Sequence, residues 1–380
     1  MTRVAINKSV LQWAVERSGR PEAIEQKFPK LSEWLVGEKP TLRQLEEFAK
    51  ATSTPLGSLF LSEPPEERLP IPHFRTLIDE TLPRPSADLL ETVQIMQRRQ
   101  AWMRDYLIEQ GHEPLGFVRS AGSKNNWERV AYEIRHALGS AEGWAANQPT
   151  WTAALRELQS KVEEAGIVVV VNGVVGNNTH RKLDVGEFRG FVLVDEYVPL
   201  IFINGADGKA AQMFTLAHEL AHVWLGSSAA FDLRELRPAE DEVEQTCNGI
   251  AAEFLVPADE LRQRWPSVRQ EPDRFQIIAR HFKVSELVTA RRALDLGFIT
   301  REQFLEFYQA YQEREHHAPK SQEGGDFYAV QNFRLGRRFA ETVVRAVRQG
   351  KLLYRDAYHL TGLYGKTFDQ YVVRLSGRFP

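Results

Sequence analysis

The chain has 380 residues, 43% of them hydrophobic, a formal charge of −3 and one cysteine, Cys247. That length and apolar content suffice for two or three domains, and the near-neutral charge leaves any contact with nucleic acid to a local patch. A single cysteine excludes a disulfide framework and a Cys-rich zinc site; nothing at the N-terminus reads as a leader, and the apolar run "GIVVVV" at 166–171 is far too short for a bilayer, so a cytoplasmic protein with no membrane contact is expected.

From Ser9 to Phe60 the pattern is short and helical: "SVLQWAVERSG", "PEAIEQKF", "LSEWLVGEKP" and "TLRQLEEFAKAT", with Gly19 and Gly37 as stops and Thr41 as a start. A bundle of four or five helices follows, spanning 1–65. Leu61 to Pro85 carries six prolines and reads as a linker or extended arm. Beyond it, "ADLLETVQIMQRRQAWMRDYLIEQG" predicts a long amphipathic helix, and further helices near 127–138 and 151–165 lead into "GIVVVVNG". Gly186 to Gly205 predicts two strands joined around Asp195 to Pro199, after which Asp207 is expected to cap a helix running to Gly226. A polar loop at Ser227 to Pro238, a helix at Ala239 to Leu255 stopped by Pro257, and more helices to about Glu315 complete this region. Arg314 to Asp326 reads as a second linker. The last stretch, 327–380, carries ten Lys and Arg against three Asp and Glu.

The chemistry concentrates in "FTLAHELAHVWLG", 214–226. His218 and His222 are one helical turn apart and share a face, so both imidazoles can reach one ion. Glu219 sits beside them, placed for the water of a metal site rather than for the metal. Zinc lowers the pKa of bound water to about 7, and a neighbouring carboxylate takes the proton as that water attacks a polarised carbonyl. The alternative is a core helix with incidental histidines. The flanking Phe214, Leu216, Leu220, Val223 and Leu225 favour the metal, because they bury the helix and hold its ligands rigidly.

Two histidines leave zinc one protein ligand short, and the next histidine is His281. A carboxylate is therefore expected. In "EDEVEQTCNGIAAEFLVP", Glu244, Asn248, Ala251 and Leu255 share one face with Cys247 and Ala252 beside it, and these small residues permit close approach to the histidine helix. Glu244 is expected as the third ligand and Asn248, one turn on, as a hydrogen-bond partner of a ligating side chain. Glu253 competes for the role but lies off that face, toward solvent. Cys247 is read as packing.

On "FTLAHELAHVWLG", "EQTCNGIAAEFLVP" and "EFRGFVLVD…PLIFIN", the region from about Gly166 to Pro257 resembles the ImmA/IrrE metallopeptidases. The resemblance implies a mainly α fold with a small β-sheet (α+β), with a zincin-like core at 66–315, and a Zn2+-dependent endopeptidase whose substrate is a regulatory protein, typically a DNA-binding repressor. It implies that Glu244 holds the third-ligand position and that a strand beside the active helix pairs with substrate, for which "PLIFING" is placed. His180, Arg189 and Tyr197 all remain open as oxyanion stabilisers.

The N-terminal bundle is similar to Xre-class helix-turn-helix domains, with possible DNA contact through residues 1–65. It departs from that pattern between "PEAIEQKF" and "LSEWLVGE", where a shortened segment leaves Lys30 as almost the only basic residue and Glu33 and Glu38 oppose phosphate. Protein docking is the alternative role. The layout with a helical basic C-terminal region, 327–380, also looks like longer family members paired with a partner toxin such as a PIN-like ribonuclease; the chain would then be an antitoxin or transcriptional regulator using its peptidase fold for binding. In the C-terminal region Arg334, Arg337, Arg338, Arg345 and Arg348 share a predicted helix with Phe339, Val343, Val344 and Val347, which reads either as a docking face for an acidic protein or as a helix packed on its own chain.

Overall fold

The computed structural model describes residues 3–67, 85–122, 126–141, 143–226, 230–231, 242–315 and 327–376. These fall into two compact units, 3–67 with 85–94, and 95–376. Most of the proline-rich segment and of the loop after Gly226, and the linker 316–326, lie outside the described residues.

The first unit contains helices α1 (Lys8–Arg17), α2 (Pro21–Lys27), α3 (Leu31–Leu35) and α4 (Leu42–Ala51), then a 3-10 turn at Leu56–Phe60. Thr41 starts α4 as expected: its side chain accepts from the Gln44 N–H while the Gln44 side chain accepts from the Thr41 N–H, which satisfies two otherwise orphaned donors. Val10, Leu11, Leu45, Phe48 and Leu59 form the fully buried centre, and Phe48 meets Phe28 and Trp34 edge-on at 5.4 and 6.0 Å. Helix α3 has only five residues and turns Leu31 and Trp34 inward. Its outward residues are Ser32 and Glu33, consistent with the shortening read from the sequence.

Helix α5 (Ala87–Glu109) begins in the first unit, and its residues from 95 onward belong to the second. There follow α6 (Trp127–Ala137), α7 (Trp151–Glu164), β1 (Val168–Asn172), β2 (Val174–Val175), β3 (Asn178–Lys182), β4 (Gly190–Leu193), β5 (Leu200–Asn204) and α8 (Lys209–Leu225). Next come β6 (Ala230–Phe231), α9 (Glu242–Leu255), α10 (Ala258–Val268), α11 (Arg274–Phe282), α12 (Glu286–Asp295) and α13 (Arg301–Glu315). The chain ends with α14 (Phe327–Leu335), α15 (Arg337–Arg348), α16 (Tyr354–Thr361) and α17 (Lys366–Ser376). The fold is mainly α with a small sheet. No helix among the described residues is long and apolar enough to cross a membrane.

The sheet has the order β1-β5-β4-β6, with β1 parallel to β5 and the other pairs antiparallel. Strand β5 is thus central, hydrogen-bonded along both sides, and its backbone is unavailable to a substrate. This corrects the expected role of "PLIFING". The side chains of Val169, Val192, Ile201 and Ile203 share a core with Met213, Leu216, Ala217 and Leu220 of α8, so alternation along the strands aims one face at the histidine helix. Phe191 and Phe202, paired across β4 and β5, stack at 4.9 Å, and neither belongs to that shared core.

Helix α8 is bounded differently from the expectation. Its N-cap is Gly208, with no side-chain hydrogen bond, while Asp207 accepts an ion pair from Arg189 at 3.2 Å. Asp207 therefore braces the turn rather than capping the helix. At the other end Gly226 adopts the left-handed conformation (φ 79°) and donates to the His222 carbonyl, ending α8 as read from the sequence.

The expected single arginine helix is broken by Gly336 (φ 78°), which separates α14 from α15. A Cβ there would stand 2.9 Å from the Val169 carbonyl, so the break sits directly on β1. Helices α14 and α15 lie against this edge strand, with Phe339, Val343 and Val344 buried. The apolar face of the basic helix is thus packed on its own chain. Arg99 of α5 ties the same region down, donating to the Leu360 and Arg334 carbonyls at 3.0 Å each.

Candidate metal centre

Helix α8 carries its polar residues into the core. His218, Glu219 and His222 are all fully buried. The Nε2 atoms of His218 and His222 stand 3.0 Å apart, and Glu244 of α9 places Oε2 at 3.2 Å from the first and Oε1 at 3.3 Å from the second. The sequence thus separates by a loop what the α8–α9 packing brings together: one atom from each of the three residues lies within 4.8 Å of the others.

Asn248, one turn beyond Glu244, puts Oδ1 3.0 Å from His218 Nδ1. With Nδ1–H donating to Asn248, the His218 Nε2 lone pair points at His222 and Glu244. Burial lowers the His218 pKa, against the raising influence of Glu244. Burial alone would raise the Glu244 carboxyl, but hydrogen bonds and charge from His218 and His222 outweigh it and hold its pKa well below the ordinary range. Neutral imidazole and ionised carboxylate are the protonation states that ligate a metal.

The donor set fits zinc. Atoms about 2.0–2.1 Å from one zinc at tetrahedral angles are roughly 3.3 Å apart, and the contacts measured within this cluster are 3.0–3.3 Å. Close approach of nitrogen lone pairs and a carboxylate in a largely buried pocket is stable only with a cation, proton or metal, between them.

Glu219 differs from Glu244 in having, among the described residues, no hydrogen-bond partner for either carboxylate oxygen. Burial pushes its pKa well above the ordinary value, and the Glu244 charge adds to this. Two further residues that the sequence did not single out help shape its surroundings. Gly190 of β4 lacks the Cβ that would stand 2.5 Å from the Thr215 methyl, 2.8 Å from the Phe202 carbonyl and 3.4 Å from Glu219 Oε1. Thr215, one turn before Glu219, is buried with its hydroxyl unpartnered. Its spacing from Glu219 was the available signal; for Gly190 there was none short of the strand register.

Glu253, the competing ligand, is buried rather than solvent-facing. It forms an ion pair with Arg292, and its Oε1 accepts from the Ala258 N–H at 3.3 Å. Arg292 in turn donates to the Val256 carbonyl at 3.1 Å, so the pair closes the C-terminal end of α9. Cys247 is buried among the core residues, in keeping with a packing role.

Of the three open oxyanion candidates, Arg189 precedes Gly190 and is held by Asp207, His180 is exposed on β3, and Tyr197 lies in the turn before β5 with its N–H donating to Asp195. The outer side of β4 carries β6, paired at Gly190 with Phe231 and at Phe191 with Ala230.

A buried His–His–Glu cluster beside a small mixed sheet suggests a metallopeptidase, and the comparison with known families agrees. Residues 162–294, about a third of the chain, match the M78 peptidase family by its IrrE N-terminal-like domain, which supports the ImmA/IrrE resemblance. Residues 335–374 match a domain of unknown function. No curated protein and no solved structure matches the chain.

Proposed function

We propose that the chain is a zinc-dependent endopeptidase that cleaves a regulatory protein. The observation that carries this reading is the pairing of a three-residue candidate ligand set with Glu219, a buried carboxyl without a hydrogen-bond partner among the described residues. His218, His222 and Glu244 would hold the zinc, with Asn248 orienting His218. Zinc bound there would lower the pKa of water to about 7 and polarise the scissile carbonyl. Glu219 accepts the proton of the attacking water and returns it to the departing amine. Burial of His218, Glu219 and His222 strengthens these electrostatic contacts.

The substrate class, a DNA-binding repressor or similar regulator, follows from the ImmA/IrrE resemblance. The bundle at residues 1–65 would bring that substrate or its DNA to the peptidase. The alternative reading, a regulator that only holds a partner such as a toxin, leaves the isolated carboxyl of Glu219 without a use.

Glu219→Gln separates these readings. The variant should fold and bind zinc in the same ratio as the parent chain, yet accumulate uncleaved substrate in cells and be isolated with it. Normal processing by this variant would reduce the protein to a binding module.

A further inference from the structure

The C-terminal helices bury one side against the body and leave an aromatic cluster open on the other. Tyr354 and Tyr358 of α16 are one turn apart with ring centres 6.1 Å from each other, and Tyr364, in the turn before α17, lies 5.9 Å from Tyr358 and 6.3 Å from His359. Buried Phe368 supports the group from beneath, 5.4 Å from Tyr358 and 6.1 Å from Tyr354. Despite this anchoring, Tyr354 and Tyr364 remain 56% and 59% exposed.

Basic residues neighbour the rings along the chain: Arg355 lies on α16 beside Tyr354, Lys366 follows Tyr364 by two residues, and Lys351, which donates to Gln110 at 2.9 Å, precedes the helix; all three are exposed. The acidic groups nearby are Asp356, which pairs with Arg355 at 3.3 Å, and exposed Asp369. Across residues 327–376 there are nine Lys and Arg against three Asp and Glu, so the whole module favours an anionic partner.

The pattern discriminates between anionic partners. A protein interface centres on a contiguous apolar patch; among the described residues the exposed aliphatic side chains of this module are Leu353, next to Tyr354, and Val373 on α17, so the exposed apolar surface here is mainly tyrosine rings. Rings interleaved with cations suit a single-stranded nucleic acid, whose bases stack on aromatic side chains while its phosphates meet Lys and Arg. A duplex keeps its base faces stacked inside and cannot use the rings.

We propose that the face formed by α16, α17 and the turn between them binds single-stranded nucleic acid, with bases on Tyr354 and Tyr364 and phosphates on Arg355 and Lys366. This site is separate from the metal cluster and does not depend on the peptidase reading.

Fluorescence anisotropy of the full zinc-loaded chain with labelled oligo(dT) and oligo(U) of about 20 nucleotides tests it. The parent should bind both, with affinity falling as salt rises. The double variant Tyr354→Ala/Tyr364→Ala should bind at least about thirty-fold more weakly, and the corresponding Phe variants should bind like the parent. Arg355→Gln with Lys366→Gln should reduce the salt slope by about 1.4, or about 0.7 per phosphate lost. Equal binding of a duplex of the same length, unchanged affinity in the alanine variant, or no binding at low salt would each overturn the proposal. Binding of poly-glutamate but of neither oligonucleotide, with the same dependence on the tyrosines, would overturn it in favour of an acidic protein partner.

Discussion

Glu244 and Glu253 stand on one helix, α9, and both carboxylates lie close to nitrogen donors, yet they are put to opposite uses. Glu244 meets two imidazoles and retains 21% side-chain exposure, while Glu253 meets one guanidinium and a backbone N–H at 7%. Arg292 is a fixed cation that satisfies its partner permanently. The two histidines are neutral when deprotonated, so the charge of Glu244 needs a cation from outside. Two glutamates on one helix thus divide into a candidate metal ligand and a structural ion-pair partner according to which side chains the neighbouring helix presents.

Exchanging either carboxylate for an amide should separate the two uses most strongly. Glu253→Gln leaves Arg292 buried without its counter-charge, and breaking such a pair costs about 3–5 kcal/mol; thermal or urea unfolding should show this, with zinc still bound by whatever folds. Glu244→Gln should do the reverse, leaving the unfolding midpoint of the metal-free chain nearly unchanged while zinc is lost on dialysis. A stability loss in Glu244→Gln with zinc retained would break the comparison and transfer the metal role to another carboxylate.

A smaller effect is expected one turn along the same helix. Asn248→Ala removes the acceptor that orients His218, and zinc affinity should fall by about 10- to 100-fold without loss of the fold. Competition with a chromophoric chelator would measure it, and unchanged affinity would mean that packing alone holds the ring.

The smallest effect concerns a third glutamate, where α7 meets the C-terminal module. Burial pushes Glu163 up to about 7, against the Arg338 backbone N–H that it accepts at 3.1 Å, with the Glu341 charge adding to the rise and the Arg337 charge opposing it. A carboxyl whose folded pKa exceeds its unfolded value holds its proton better in the folded state. Its stabilising contribution is therefore complete below the ordinary 4.5 and is lost as pH rises through about 7. Melting temperatures recorded across that window should fall by a few degrees more in the parent than in Glu163→Gln, and parallel curves would place the proton elsewhere.

The sequence carried the site further than it carried the fold around it. His218, Glu219 and His222 are legible because a single helix fixes their spacing, and Glu244 with Asn248 because a second helix does the same. Glu253 was misread, since helical phase says which side a residue faces but not what waits there, and Arg292 lies 39 residues away. The role given to "PLIFING" failed for a related reason: a continuous apolar strand reads alike at the centre or edge of a sheet, and only pairing distinguishes them. The β2–β3 hairpin went unseen because β2 has two residues and β3 is largely exposed and polar, so neither carries a hydrophobic rhythm. In the C-terminal helices the spacing of arginines and apolar residues does not reveal the break at Gly336, and it leaves open whether the apolar face of α15 docks a partner or packs on its own chain, where the structure places it.

Gly336 also bears on association between molecules. It brings α14 and α15 onto β1, whose Val168–Val171 run would otherwise form the outer margin of the sheet with four apolar residues in sequence and no charge. An uncovered strand of this composition is a template for strand-to-strand association between molecules, the route by which partly unfolded chains aggregate. Any event that lifts the C-terminal helices, whether truncation, a side chain at Gly336 or proteolysis ahead of α14, would then uncover that strand and promote self-association of the chain without touching the His–His–Glu cluster.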